Sequence, residues 1–104
     1  KSWEDGALIV TKSEALSILE NHKSDFADRF GVERIGVFGS VARDEATENS
    51  DVDVIAQMPP NFGSLIELQE ELEKEFGTKV DLIRMHNNMR ERFKNRILRE
   101  AIFV

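Results

Sequence analysis

Two stretches of helical periodicity each end at a glycine, and each glycine is followed within three residues by a short apolar run. The first stretch opens on Thr11 and Glu14, the form of a capping box, and sets Ala15, Leu19, Phe26 and Phe30 on one stripe before Gly31. The second carries Leu65, Leu68, Leu72 and Phe76 before Gly77. The runs behind them, Arg34 to Phe38 and Lys79 to Arg84, are too short for helices and read as strands, the first buried on both faces. Helices alternating with strands in this way bury their apolar faces as an α/β sandwich, a small mixed sheet of three or four strands packed against helices.

The remaining segments fit between these. Asp51 to Gln57 alternates acidic and apolar side chains up to the breaker pair Pro59-Pro60, which predicts another strand. Ser40 to Arg43 reads as a short helix start, and Asp44 to Ser50 as a polar turn punctuated by Asn49 and Ser50. Asn88 is placed to cap a last helix with Met89, Phe93 and Ile97 inward, and Ala101 to Val104 can close the sheet as a short strand. His22 falls on the apolar stripe of the first helix, where a partly buried structural histidine is expected rather than a ligand.

A chain of 104 residues supports one hydrophobic core, so the expectation is a single domain over 1–104, with 1–10 a loosely ordered N-terminal extension. No apolar run reaches the roughly 20 residues that span a bilayer, and the first residues lack the apolar centre of a secretion signal, so the expected setting is cytoplasmic, with no membrane partner. Cysteine is absent, which excludes disulfides, thiolate catalysis and cysteine-held zinc. Any metal must sit on oxygen or histidine. The net charge of −6 argues against nucleic acid as a partner. That charge is uneven: residues 1–78 hold 7 basic and 17 acidic side chains, whereas 79–104 hold 7 basic and 3 acidic.

Asp51 and Asp53 lie two apart on a predicted strand and so project from one face, with Cα atoms roughly 6–7 Å apart. Left alone they repel; a shared divalent cation resolves the conflict, and oxygen-only ligands suit Mg²⁺, which binds through one or two carboxylates and substrate phosphates. Asp81 sits on the next strand between Val80 and Leu82, where a carboxylate needs a partner; if the two strands are neighbours, three carboxylates converge. Gly39-Ser40 stands where the first strand turns, the kind of place where bare backbone amides attract a phosphate. The Ser40 hydroxyl and Arg43, one turn further on, can add bonds to phosphate oxygens. Arg92, Arg96 and Arg99 share one face of the last helix, a face that can meet triphosphate, an acidic partner surface or only water.

The order of these parts, Gly39-Ser40, ten residues, Asp51-Val52-Asp53, then Asp81, resembles the active-site signature of the polymerase-beta-like nucleotidyltransferase superfamily. Phe38-Gly39-Ser40-Val41-Ala42-Arg43, Ser50-Asp51-Val52-Asp53-Val54, Lys79-Val80-Asp81-Leu82 and the closing Ile97 to Val104 are similar to the minimal nucleotidyltransferases encoded beside HEPN-domain proteins. The resemblance implies that Ser40 and Arg43, with Gly39, bind the triphosphate of ATP. It implies that Asp51 and Asp53 bind Mg²⁺, and that Asp81 completes the triad and activates an acceptor hydroxyl for in-line attack on the α-phosphorus. It also implies an antitoxin of a two-gene system that adenylylates a tyrosine of its HEPN toxin. Two other readings follow from the same residues: a non-catalytic module that neutralises a HEPN partner by covering it, and a transferase acting on a small-molecule acceptor.

Overall fold

The computed structural model describes residues 10–47, 51–86 and 88–104. In chain order these form α1 (Lys12–Phe30), β1 (Arg34–Phe38), β2 (Val52–Gln57), α2 (Phe62–Phe76), β3 (Val80–Met85), α3 (Glu91–Glu100) and β4 (Ile102–Phe103). The sheet order is β3-β2-β1-β4. β1 runs antiparallel to β2 and to β4, while β2 and β3, joined through α2, are parallel. The fold is therefore the expected small mixed α/β sheet, four strands packed against helices.

Local chemistry explains the helix limits. The Thr11 hydroxyl accepts from the Glu14 amide at 3.1 Å while the Glu14 carboxylate accepts from the Thr11 amide at 3.2 Å, a complete capping box. At the other end Gly31 adopts a left-handed conformation, φ 71°, and closes α1; Gly77 does the same for α2.

Strand alternation divides the core in two. Ile35 and Val37, Val52, Val54 and Ala56, and Val80 and Leu82 point to one face, where they meet Leu19 and Phe26 of α1 and Leu68, Leu72 and Phe76 of α2. Each fully buried leucine or phenylalanine there contributes about 1.5–3 kcal/mol of burial free energy. On the opposite face Phe38, Ile55 and Met85 pack with Ile97 of α3. Asp53 and Asp81, one residue out of phase with Val52, Val54 and Val80, belong to this second face.

His22 has the structural role expected of it. Its Nε2 lies 3.0 Å from Glu75 Oε1, and its ring stacks on Phe26 at 5.5 Å between centroids. Val10, the first described residue, is buried in the main core; the rest of the expected extension, residues 1–9, lies outside the described residues, as do Asn49 and Ser50.

Several expectations are corrected. Ser40 to Arg43 does not begin a helix: after the Arg43 amide donates to the Gly39 carbonyl at 3.1 Å, Asp44 turns left-handed, φ 58°, and the chain leaves the spiral. Asp51 precedes its strand rather than opening it. Asp81 is exposed at the second position of β3, so it escapes the burial penalty assigned to a mid-strand carboxylate. Asn88 does not cap the last helix. Its amide donates to His86 Nδ1 at 3.2 Å in a separate turn, and the N-cap falls to Arg90, whose side chain has no acceptor to offer. Phe93, expected inward, is 37% exposed, and Ile97 alone in α3 is fully buried.

Candidate active site

Antiparallel pairing of β1 with β2 and parallel pairing of β2 with β3 bring three strand ends to the same edge of the sheet. Phe38 stands opposite Asp53, and Asp53 stands opposite Asp81. The catalytic candidates on β2 and β3 are thus direct neighbours on one face, and the turn that leaves β1 starts beside them.

Gly39 begins that turn at φ 73°, a conformation that disfavours any residue with a Cβ. A methyl group there would also collide with Asp53 Oδ2. Its immediate neighbour is the Asp53 carboxylate. The missing side chain lets the turn and the carboxylate share one small space.

Asp53 is half-buried, whereas Asp51 and Asp81 are exposed. Burial is the main force raising the Asp53 carboxyl above the usual carboxylate range; the charges of Asp81 and then Asp51 push the same way, and Arg43 partly opposes them. All three acids and Arg43 therefore share one electrostatic neighbourhood. Among the described residues, however, no three acidic or histidine side chains are gathered at metal-ligand spacing. The two observations concern different ranges, since charge acts over several ångströms and coordination needs contact; the convergence is electrostatic. The donor set is oxygen only, and a half-buried acid held among like charges gains most from a hard divalent cation, so these residues suit a cation of that class.

Ser40 is half-buried, and its carbonyl accepts from the Glu45 amide at 2.8 Å. The Arg43 Nε donates to Glu45 Oε1 at 2.7 Å, and its Nη1 lies 3.8 Å from Glu100 Oε1. Neither glutamate was singled out in the sequence. Glu45 is close to Arg43 in the chain and Glu100 is four residues from Arg96, so each suggested at most a local pair. Of the arginine face on α3, Arg96 donates from Nε to Glu100 Oε2 at 3.2 Å and Arg99 Nη2 lies 4.0 Å from the same oxygen.

Residues 19–104 match the nucleotidyltransferase domain family. The protein adenylyltransferase MntA of Thermococcus cleftensis is 42% identical over 98 residues, which covers 92% of this chain and 98% of that one. A Methanocaldococcus jannaschii protein described as a protein adenylyltransferase is 40% identical over 98 residues, 90% of this chain and 98% of its own. A solved structure described as a minimal nucleotidyltransferase superposes with a TM-score of 0.68 at 33% identity, covering 84% of this chain and 93% of that one. The crystal structure of a toxin-antitoxin with AMP-PNP shares the fold, with a TM-score of 0.65 at 18% identity over 81% of this chain and 70% of that one.

Proposed function

We propose that this chain, which belongs to the nucleotidyltransferase family, works as a single domain over 1–104 that moves AMP from ATP to a tyrosine hydroxyl of a HEPN-domain toxin. The observation that carries this reading is the meeting of Gly39, Asp53 and Asp81 at one end of the sheet. A carboxylate pair on adjacent strands, beside a glycine turn whose backbone amides would meet a phosphate, supplies both halves of a nucleotide site. The adenylyltransferase activity named for the 42% identical relative, which this chain matches along almost all of that protein's length, favours ATP as donor and a protein as acceptor. The cytoplasm supplies both.

In this reading the Gly39 turn, the Ser40 hydroxyl and Arg43 orient the triphosphate, so that its α-phosphorus faces the acids. Asp51, Asp53 and Asp81 would hold Mg²⁺, which when bound neutralises phosphate charge and polarises the reacting oxygens. Asp81, exposed at the mouth of the site, takes the proton of the incoming hydroxyl. The tyrosine oxygen forms its bond to the α-phosphorus as the bond to the bridging oxygen of pyrophosphate breaks. The partner protein provides the acceptor side of the pocket.

Incubating the chain with its HEPN partner, Mg²⁺ and ATP labelled on either the α- or the γ-phosphate tests this. Transfer of AMP puts α-label, and no γ-label, on a partner tyrosine. Label from the γ-position, or none from either, overturns the proposal.

A further inference from the structure

The geometry points to Arg96 as a second triphosphate-binding residue, held beside Arg43 by Glu100; this rests on the nucleotide site proposed above. An Arg96–Glu100 pair four residues apart on an exposed helix would by itself be an ordinary surface contact. Here the same carboxylate also faces Arg43 of the catalytic turn, at 3.8 Å. Glu100 thus ties together two arginines from distant parts of the chain, and its side chain is only 30% exposed.

Topology explains why the meeting occurs at this end of the sheet. β4 pairs Ile102 with Val37, next to the end of β1, so the last turn of α3 is delivered to the edge that carries Gly39, Asp53 and Asp81. Gly36 permits the approach, since a Cβ there would run into the Ile102 carbonyl. α3 also packs on the sheet face to which Asp53 and Asp81 belong. The Arg96 guanidinium lies 5.7 Å from the centre of the Phe38 ring, and Phe38 precedes Gly39 and pairs with Asp53.

The chemistry of the cluster fits phosphate better than it fits a closed structural network. Arg96 engages Glu100 through Nε, and among the described residues its two Nη groups have no ion-pair partner. The fork that recognises phosphate oxygens is therefore presented while the stem is fixed. Three arginines gather on the single carboxylate of Glu100, with Arg99 the most distant. Arg43, one of the three, also shares the electrostatic neighbourhood of the acids that would carry a cation. With Arg43 on the turn that would orient the triphosphate, its α-phosphorus toward the acids, Arg96 is placed for the phosphates beyond the α-phosphate, and Glu100 is the positioning residue that keeps like charges side by side until the triphosphate arrives.

The test is calorimetric titration of the whole chain with ATP and, separately, AMP, both with Mg²⁺. Arg96→Ala is expected to weaken ATP binding about ten-fold, the loss of one charge-assisted hydrogen bond, while AMP binding changes by less than about two-fold. Arg96→Lys should recover part of the loss. Arg92→Ala, which removes the same charge one helical turn further from the site, should bind ATP as the wild type does. Unchanged melting temperatures confirm that the variants fold. Equal ATP affinity in Arg96→Ala and wild type, an equal loss for ATP and AMP, or an equal loss in Arg92→Ala overturns the inference and leaves the nucleotide site standing. A wild-type chain that takes up no ATP overturns both.

Discussion

Gly39 and the Asp53 carboxylate occupy a space that has room for only one side chain, because the left-handed turn at Gly39 aims the position of its absent Cβ at Asp53 Oδ2. Gly39→Ala therefore meets two penalties, the backbone conformation and the collision. The first costs about 1–2 kcal/mol. Thermal melting should fall by roughly 4–8 °C for each kcal/mol lost. Because relief of the collision requires Asp53 to move, AMP transfer should fall by more than the loss of folded protein explains. A variant with wild-type melting and wild-type transfer rate would show that turn and carboxylate are independent.

Removing the paired acids separates catalysis from contact. Asp51 is exposed and Asp53 half-buried, and neither packs in the apolar core, so Asp51→Ala with Asp53→Ala should leave the fold intact while abolishing transfer to the partner. Circular dichroism checks the first outcome and α-labelled ATP the second. If the double variant still neutralises the partner, covering rather than modifying it is what silences the toxin.

The ionisation of Asp53 predicts how the metal-free chain responds to pH. Burial, followed by the charges of Asp81 and Asp51, raises its pKa in the folded state, so folding favours the protonated acid. The stability this contributes is present in full below the ordinary carboxylate pKa and is lost as pH rises through the raised value. Asp53→Asn cannot ionise, and its melting temperature should decline less over that interval. Mg²⁺ favours the ionised form and acts the other way. At ten times its dissociation constant it should stabilise the wild type at neutral pH by about 1.4 kcal/mol, visible as a rise of several degrees. Melting curves with Mg²⁺ and with EDTA decide the matter: no difference for the wild type, or the same difference for Asp53→Asn, removes Asp53 from the metal site.

These predictions depend on relationships that the sequence expressed unequally. The capping box at Thr11, the glycine stops, the short apolar runs of β1 and β3 and the alternation of β2 arise from neighbouring residues, and local physics sufficed to read them. That Asp53 and Asp81 are partners could be stated only as a condition, since pairing depends on how α2 carries the chain from β2 to a parallel neighbour. The arrest of the turn after Arg43 rests on Asp44 going left-handed, which aspartate tolerates but does not demand. The contact between Arg43 and Glu100 was out of reach, because it exists only once β4 has paired with β1. Phe93 is exposed for a related reason: α3 meets its sheet face chiefly through Ile97, so a periodic apolar residue four positions earlier has little to cover it.

Asp81 is the site acid whose loss should reach chemistry without disturbing the donor's grip. It pairs in register with Asp53 through the backbone, but its side chain is exposed and the Gly39 turn follows another strand. Asp81→Asn keeps the size of the side chain and removes both the charge and the ability to accept the acceptor's proton. ATP affinity should therefore change by less than about three-fold, as expected for an exposed charge, whereas transfer to the partner should drop by about 100-fold or more, the usual worth of a general base. Asp81→Glu, which keeps the charge and a proton-accepting oxygen, should recover part of the transfer rate. A variant whose ATP affinity falls by the same factor as its transfer rate would place Asp81 with the donor and leave the acceptor's proton to another group.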